Sequence, residues 1–141
     1  MGVMAMTAIE AGELAGVDTT SKTILVVDDA DFIRRLVSII LTLEGYTVLE
    51  AGNGKEALAI LGETRVDLII TDLNMPVMDG IELVSALRSE SAYRHVPVVM
   101  LTSEFLEFRK QQAFEAGINE WVPKPYITSK LKDLVFKYAE L

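Results

Sequence analysis

Five short apolar runs recur along the chain, most of them rich in β-branched residues, and one segment of helical periodicity parts each from the next. This alternation does most to narrow the fold. The runs are Thr23–Val27, Tyr46–Glu50, Val66–Thr71, Val96–Leu101 and Ile118–Val122. After the first run, Phe32, Ile33, Leu36, Val37, Ile40, Leu41 and Leu43 recur at helical spacing, and Gly45 ends the helix. Ala57, Leu58, Ile60 and Leu61 mark a second helix between the Asn53-Gly54 turn and Gly62. Ile81–Ser89 reads as a third helix and Phe105–Ala116 as a fourth, closed by Gly117. Ile127, Leu131, Leu134, Val135 and Tyr138 mark a fifth. Strands alternating with helices predict an α/β domain, with a parallel sheet covered on both faces through right-handed crossovers. Such sheets carry their ligands in a crevice beyond the carboxyl ends of the strands.

The central run, Val66–Thr71, is apolar at nearly every position, as a strand covered on both faces must be. It stops at Asp72. Pro76 and Asp79-Gly80 bar its continuation and mark a turn. Asp72 either caps the following loop or faces the crevice. The other strand ends favour the crevice. The first strand runs into Asp28-Asp29, the fourth ends at Thr102, and Lys124 follows the fifth. One edge of the sheet then gathers three carboxylates, a hydroxyl and an ammonium. At about 4 Å and an effective dielectric of about 20, each carboxylate pair costs roughly 4 kcal/mol. A hard divalent cation such as Mg²⁺ offsets that cost, because it takes carboxylates, waters and a phosphate oxygen as ligands. Lys124 neutralises a further charge. These parts suit phosphoryl transfer to a carboxylate, where catalysis is mostly positioning and charge neutralisation.

Length and charge agree. The 141 residues correspond to one domain, and the net charge of -8 disfavours nucleic acid or an anionic membrane as partner. Without cysteine there is no disulfide scaffold and no thiolate metal site, which fits a reducing, cytoplasmic compartment. No apolar stretch is long enough to span a bilayer. Residues 1–22 read as a flexible tail with no assigned function; Thr7 and Glu10 could cap one or two helical turns there.

The acidic pair Asp28-Asp29, Asp72 with Met75-Pro76 and Asp79-Gly80 beyond it, Thr102, and Lys124-Pro125 occur in an order and spacing that resemble the receiver domain of two-component response regulators. The resemblance covers about residues 23–141, all but the tail. Each motif is weak alone; the ordered set is specific. It implies a flavodoxin-like, doubly wound sheet of five strands in the order 2-1-3-4-5 with five helices. It implies that Asp72 accepts a phosphoryl group from a phosphohistidine of a sensor histidine kinase. Asp29 and Asp72 ligate Mg²⁺ through carboxylates, Asn74 through its backbone carbonyl, and Asp28 through a water. Lys124 bridges to the phosphoryl oxygens, and Thr102 swings its hydroxyl towards them. Trp121 occupies the aromatic switch position and is expected to turn inward with Thr102. The output face is then the fourth helix, fifth strand and fifth helix, about Phe105–Leu141, which binds a target protein. Asn74 and Glu104, two residues beyond Asp72 and Thr102, imply rapid self-dephosphorylation, suited to chemotaxis or motility signalling. The resemblance implies a signalling phosphoacceptor that acts as a monomer or weak dimer and on no substrate but itself. A phosphorelay intermediate that hands the group to another histidine is the alternative. With nothing beyond residue 141, output is expected through protein contacts.

Plainer roles and rival families compete. Trp121 could be an ordinary core aromatic, Thr102 a helix cap and Lys124 a solvated loop charge. His95, the one histidine, reads as a surface residue, and Asp31, Asp67 and Asp79 as caps, turns or solvated charges. Phe105, Leu106 and Phe108 cannot all face the core from one helix start, so one is expected exposed. Asp29-Ala-Asp31 mimics the nucleophile motif of haloacid-dehalogenase-type phosphatases, but that family needs an acidic pair on a loop after its lysine. Only Asp133 and Glu140, both within the last helix, follow Lys124. A flavin or nucleotide module would place a phosphate where Asp28 and Asp29 repel it. A pure scaffold would not need an intact acceptor site.

Overall fold

The computed structural model describes residues 21–140, so the Thr7–Glu10 capping expectation and most of the tail lie outside the described residues. The strands are β1 (Thr23–Val27), β2 (Thr47–Ala51), β3 (Leu68–Thr71), β4 (Val98–Thr102) and β5 (Glu120–Pro123). The helices are α1 (Asp31–Leu43), α2 (Gly54–Leu61), α3 (Gly80–Arg88), α4 (Glu107–Ala116) and α5 (Thr128–Ala139), with one 3₁₀ turn at Ser91–Tyr93. The sheet is parallel throughout and runs β2-β1-β3-β4-β5, the expected flavodoxin-like order.

Alternate strand residues feed two separate cores, as the period of two demands. Leu25, Val27, Ile69, Val98 and Met100 meet α2, α3 and α4 through Ala57, Leu61, Leu83, Val84, Leu87 and Ala113. Ile24, Val26, Leu68, Ile70, Val99 and Leu101 meet α1 and α5 through Val37, Leu41, Leu131 and Val135. β3 is buried along its whole length, which is why it reads as a continuous apolar run.

Several boundaries differ from the sequence reading: the second strand lies one residue later than Tyr46–Glu50, β3 begins at Leu68 and not Val66, and three further shifts have a visible cause. β4 starts at Val98 and takes in Thr102, which pairs with Pro123, so Thr102 is the last strand residue and not the first loop residue. β5 starts at Glu120, because Asn119 is committed to β4: its amide donates to the Val98 carbonyl at 2.8 Å and its side-chain oxygen accepts from the Val98 amide at 2.8 Å. α4 starts at Glu107, because the Glu104 carboxylate holds the Phe105 and Leu106 amides outside the helix, at 3.2 and 3.1 Å. Asp79, read as a cap or turn residue, caps α3 in a reciprocal box with Glu82. Asp67 accepts from the Thr23 amide at 2.8 Å and ties the start of β3 to β1.

Gly80, the first residue of α3, lies directly behind the carboxyl end of β3. A Cβ there would overlap the Asp72 carbonyl oxygen and stand 3.0 Å from Met100 Cε and 3.1 Å from Leu73 Cα. Two of these three neighbours are backbone and cannot swing aside. Gly80→Ala is therefore expected to destabilise the fold by about 1–3 kcal/mol, as overpacked cores do, read as a lowered denaturant midpoint. An unchanged midpoint would mean that the β3–α3 turn gives way freely.

Candidate functional site

The carboxyl ends of β1, β3, β4 and β5 converge as the sequence requires. Asp28, Asp29 and Asp72 each offer a carboxylate oxygen within 4.8 Å of the others. The two strands that carry them are neighbours, with Val27 paired to Thr71, and the Asp72 amide donates to the Val27 carbonyl at 2.9 Å. Lys124 arrives from beyond β5, where its amide donates to the Thr102 carbonyl at 2.9 Å and its ammonium reaches back over the acids. Nζ stands 2.9 Å from Asp28 Oδ2 and 3.5 Å from Asp72 Oδ2. The Lys124–Pro125 peptide is cis.

The three acids are not equivalent. Asp28 is buried, and both its oxygens are engaged: Oδ1 accepts from the Ala30 amide at 2.9 Å and Oδ2 from Lys124. Asp72 is partly buried; Oδ1 accepts from the Leu73 amide at 2.7 Å, and Oδ2 faces Lys124. Asp29 is exposed, with no direct hydrogen bond among the described residues. Burial pushes the Asp72 carboxyl above its ordinary range. Lys124, the Leu73 amide and, more weakly, the Thr102 hydroxyl pull it down, while Asp28 adds to the rise. Burial alone would lower the Lys124 ammonium, but Asp28 and Asp72 outweigh it and hold it above its usual value, firmly protonated.

Thr102 is fully buried at the end of β4, and its hydroxyl accepts from the Glu104 amide at 3.0 Å. The Asn74 side chain is exposed and turns to Glu104, at 3.4 Å, across the mouth of the site. Trp121 is half-buried on β5, opposite Met100, and rests against the α2–α3–α4 core. Phe105, Leu106 and Phe108 are all exposed, at 87%, 45% and 58%, where one was expected. The cause is α4 itself: of its ten residues only Ala113 is buried, so it has almost no apolar face to turn inward. His95 is a surface residue, as read.

Val77, in the loop beyond Asp72, has φ of 72°, the left-handed region that a β-branched residue tolerates poorly. Its side chain is exposed and no packing requires it. Val77→Asn, a residue that accepts this conformation, is expected to stabilise by about 1 kcal/mol, which raises the melting temperature of a domain this size by roughly 4 °C. A fall in melting temperature would place the strain elsewhere.

Sequence reasoning missed Arg34. It lies on the polar face of α1, where a charge normally points to solvent, yet its side chain is 15% exposed and donates to the Asp28 carbonyl at 2.7 Å. The signal was weak: an acid three residues before it, Asp31, and another, Glu50, at the end of β2.

An all-oxygen cluster of three carboxylates beside a lysine and a hydroxyl suits a hard divalent cation and a phosphoryl group, and no softer metal. The comparisons agree. Residues 24–136 match the sequence model of the response regulator receiver domain. Chemotaxis protein CheY of Pseudomonas aeruginosa is 38% identical over 118 residues, 83% of this chain and 95% of that protein. Transcriptional regulatory protein ResD of Bacillus subtilis is 44% identical over 110 residues, 77% of this chain and 45% of that protein. The receiver domain of a sensor histidine kinase from Pseudomonas aeruginosa, solved with a magnesium ion coordinated in its active-site cleft, has a TM-score of 0.80 at 25% identity, covering 86% of this chain and 100% of that one.

Proposed function

The chain belongs to the response regulator receiver family, and from that premise we propose that residues 23–141 form a phosphoryl-accepting switch in which Asp72 takes the group from a histidine kinase. The observation that carries this reading is the meeting of Asp28, Asp29, Asp72 and Lys124 at one sheet edge from three separate strand ends. Family membership also sets aside the dehalogenase and flavin-module alternatives.

Asp72 Oδ attacks phosphorus in line. The new P–O bond forms as the P–N bond to the donor imidazole breaks, and that nitrogen keeps the electron pair. Burial raises the Asp72 carboxyl, and ionised Lys124 opposes that rise by favouring the carboxylate that attacks. Lys124 then pairs with the oxygens of the incoming group, and Thr102 donates its hydroxyl to them. Asp29 and Asp72, with the Asn74 carbonyl and Asp28 behind a water, would hold Mg²⁺. When bound, the ion neutralises charge on the phosphoryl oxygens.

As Thr102 shifts to donate its hydroxyl to the new group, the Glu104 amide that it accepts from, and with it the stretch from Glu104 into α4, follows. We assign Trp121 as the aromatic that reads this movement from β5, and the α4–β5–α5 face, with Phe105 and Phe108 exposed upon it, as the surface for a target protein. Asn74 and Glu104 at the mouth regulate access of the water that hydrolyses the acyl phosphate. Chemotaxis or motility signalling in the cytoplasm is the setting we assign, in line with a chemotaxis relative matched over 95% of its length. Acidic charge disfavours nucleic acid and anionic membrane as partners, and among the described residues no helix is long and apolar enough to cross a membrane.

Incubation with a small phosphodonor is expected to add one phosphoryl mass in the presence of Mg²⁺ and almost none once a chelator removes it, measured by intact mass spectrometry. Equal uptake with and without metal would remove the cation from the reading.

A further inference from the structure

We propose that Arg34, anchored by Glu50, is the positioning residue that aims the acidic doublet, so that the metal affinity of the site depends on a guanidinium that never touches the metal. This rests on the functional reading above and deepens it.

The guanidinium makes contacts in three directions. Nη1 donates to the Asp28 carbonyl at 2.7 Å, Nη2 to Asp31 Oδ1 at 2.8 Å, and Nε to Glu50 Oε1 at 3.1 Å. Glu50 is itself fixed, since its other oxygen accepts from Arg35 Nε at 3.0 Å. One planar group thus ties the start of the β1–α1 loop and the first turn of α1 to the end of β2. The Arg34 side chain is 15% exposed and that of Glu50 22%, so this pair is not a freely solvated surface bridge.

The loop needs such a fastener. Asp28 has both carboxylate oxygens engaged, but Asp29, the acid left free to bind a cation, has no direct hydrogen-bond partner among the described residues. Its direction is set by its backbone alone. That backbone is pinned by the Asp28 amide on the Ala51 carbonyl, 3.1 Å, by the Ala30 amide on Asp28 Oδ1, and by Arg34 on the Asp28 carbonyl. Only the last comes from a side chain outside the acidic doublet. Groups that orient metal ligands from behind commonly change affinity by 10–100-fold when removed.

Three measurements on the full chain test this. Arg34→Met is expected to raise the calorimetric Kd for Mg²⁺ about tenfold. Arg34→Lys, which can replace only part of the fork, should fall between it and the parent. In the metal-free protein the Ala30 amide should exchange faster with solvent in Arg34→Met, because the loop it closes is looser. Phosphoryl uptake should need more Mg²⁺ yet reach the parent's maximal rate at saturation. If Arg34→Met does not fold, Arg34→Lys and Glu50→Gln carry the test. A Kd within twofold of the parent's, unchanged Ala30 exchange, or a lower maximal rate at an unchanged metal requirement would each overturn the inference. A parent protein that binds no Mg²⁺ overturns the functional reading and this inference with it. Normal binding by the parent and unchanged binding by the variants overturn this inference alone.

Discussion

Asp72→Asn is expected to take up no phosphoryl group under conditions in which the parent protein is fully labelled, and to be at least as stable as the parent without metal. The first effect is chemical. The amide has nearly the shape of the carboxylate and can still accept from the Leu73 amide, but its oxygen is a poor nucleophile and carries no negative charge for a cation. The second follows from linkage. Burial raises the Asp72 carboxyl, so the folded chain holds that proton more tightly than the unfolded chain does. As pH climbs through the ordinary carboxylate range to the raised value, the unfolded state gains the advantage of ionising first, and folding stability falls. Above that raised value the penalty is complete, and an uncharged asparagine escapes it. Intact mass and a thermal melt read both effects. Labelling that persists in Asp72→Asn moves the acceptor elsewhere. A large loss of stability would mean that the carboxylate is structurally required.

The second large effect is expected at Lys124. Methionine at this position keeps the length of the stem and removes the ammonium, leaving Asp28 Oδ2 without its 2.9 Å partner and Asp72 without its nearest positive charge. Loss of one preorganised group that neutralises charge developing in a transition state commonly costs 10²–10³ in rate, so Lys124→Met should be labelled about 10²-fold or more slowly at saturating donor and Mg²⁺. The pH profile should move as well. Lys124 is the strongest influence holding the Asp72 proton off, so its removal lets that carboxyl rise further, and the acidic limb of the labelling profile shifts to higher pH. A rate within threefold of the parent, on an unmoved profile, would reduce Lys124 to a structural counter-ion of Asp28.

The acid-lined edge was legible because of β3. Its residues are buried on both faces, the apolar run could only be a central strand, and the residue at its end was fixed to within one position. The outer strands were less legible for a physical reason. β5 has a single strand neighbour, and its start is decided by Asn119, whose bonds to Val98 no apolar pattern reveals. Thr102 was read outside its strand, since the ladder to Pro123 runs one residue further than hydrophobicity suggests. The beginning of α4 depends on a carboxylate that captures two amides, and its exposed phenyl rings on a helix that buries one alanine. Arg34 was the deepest miss. An arginine on the polar side of a helix reads as solvated, and only the folded chain brings Glu50 from β2 and a main-chain carbonyl from β1 within its reach.

β3, flanked by β1 and β4 and roofed by helices above and below, is the part of the molecule with the least room to recoil. A residue mounted at its tip cannot relieve a sudden gain of anionic charge by retreating. The disturbance has to be absorbed by whatever around it can still shift, and that is the rim. On the proposed function, a group added at this fixed tip would be expressed as displacement of the loops, the part that another protein would feel.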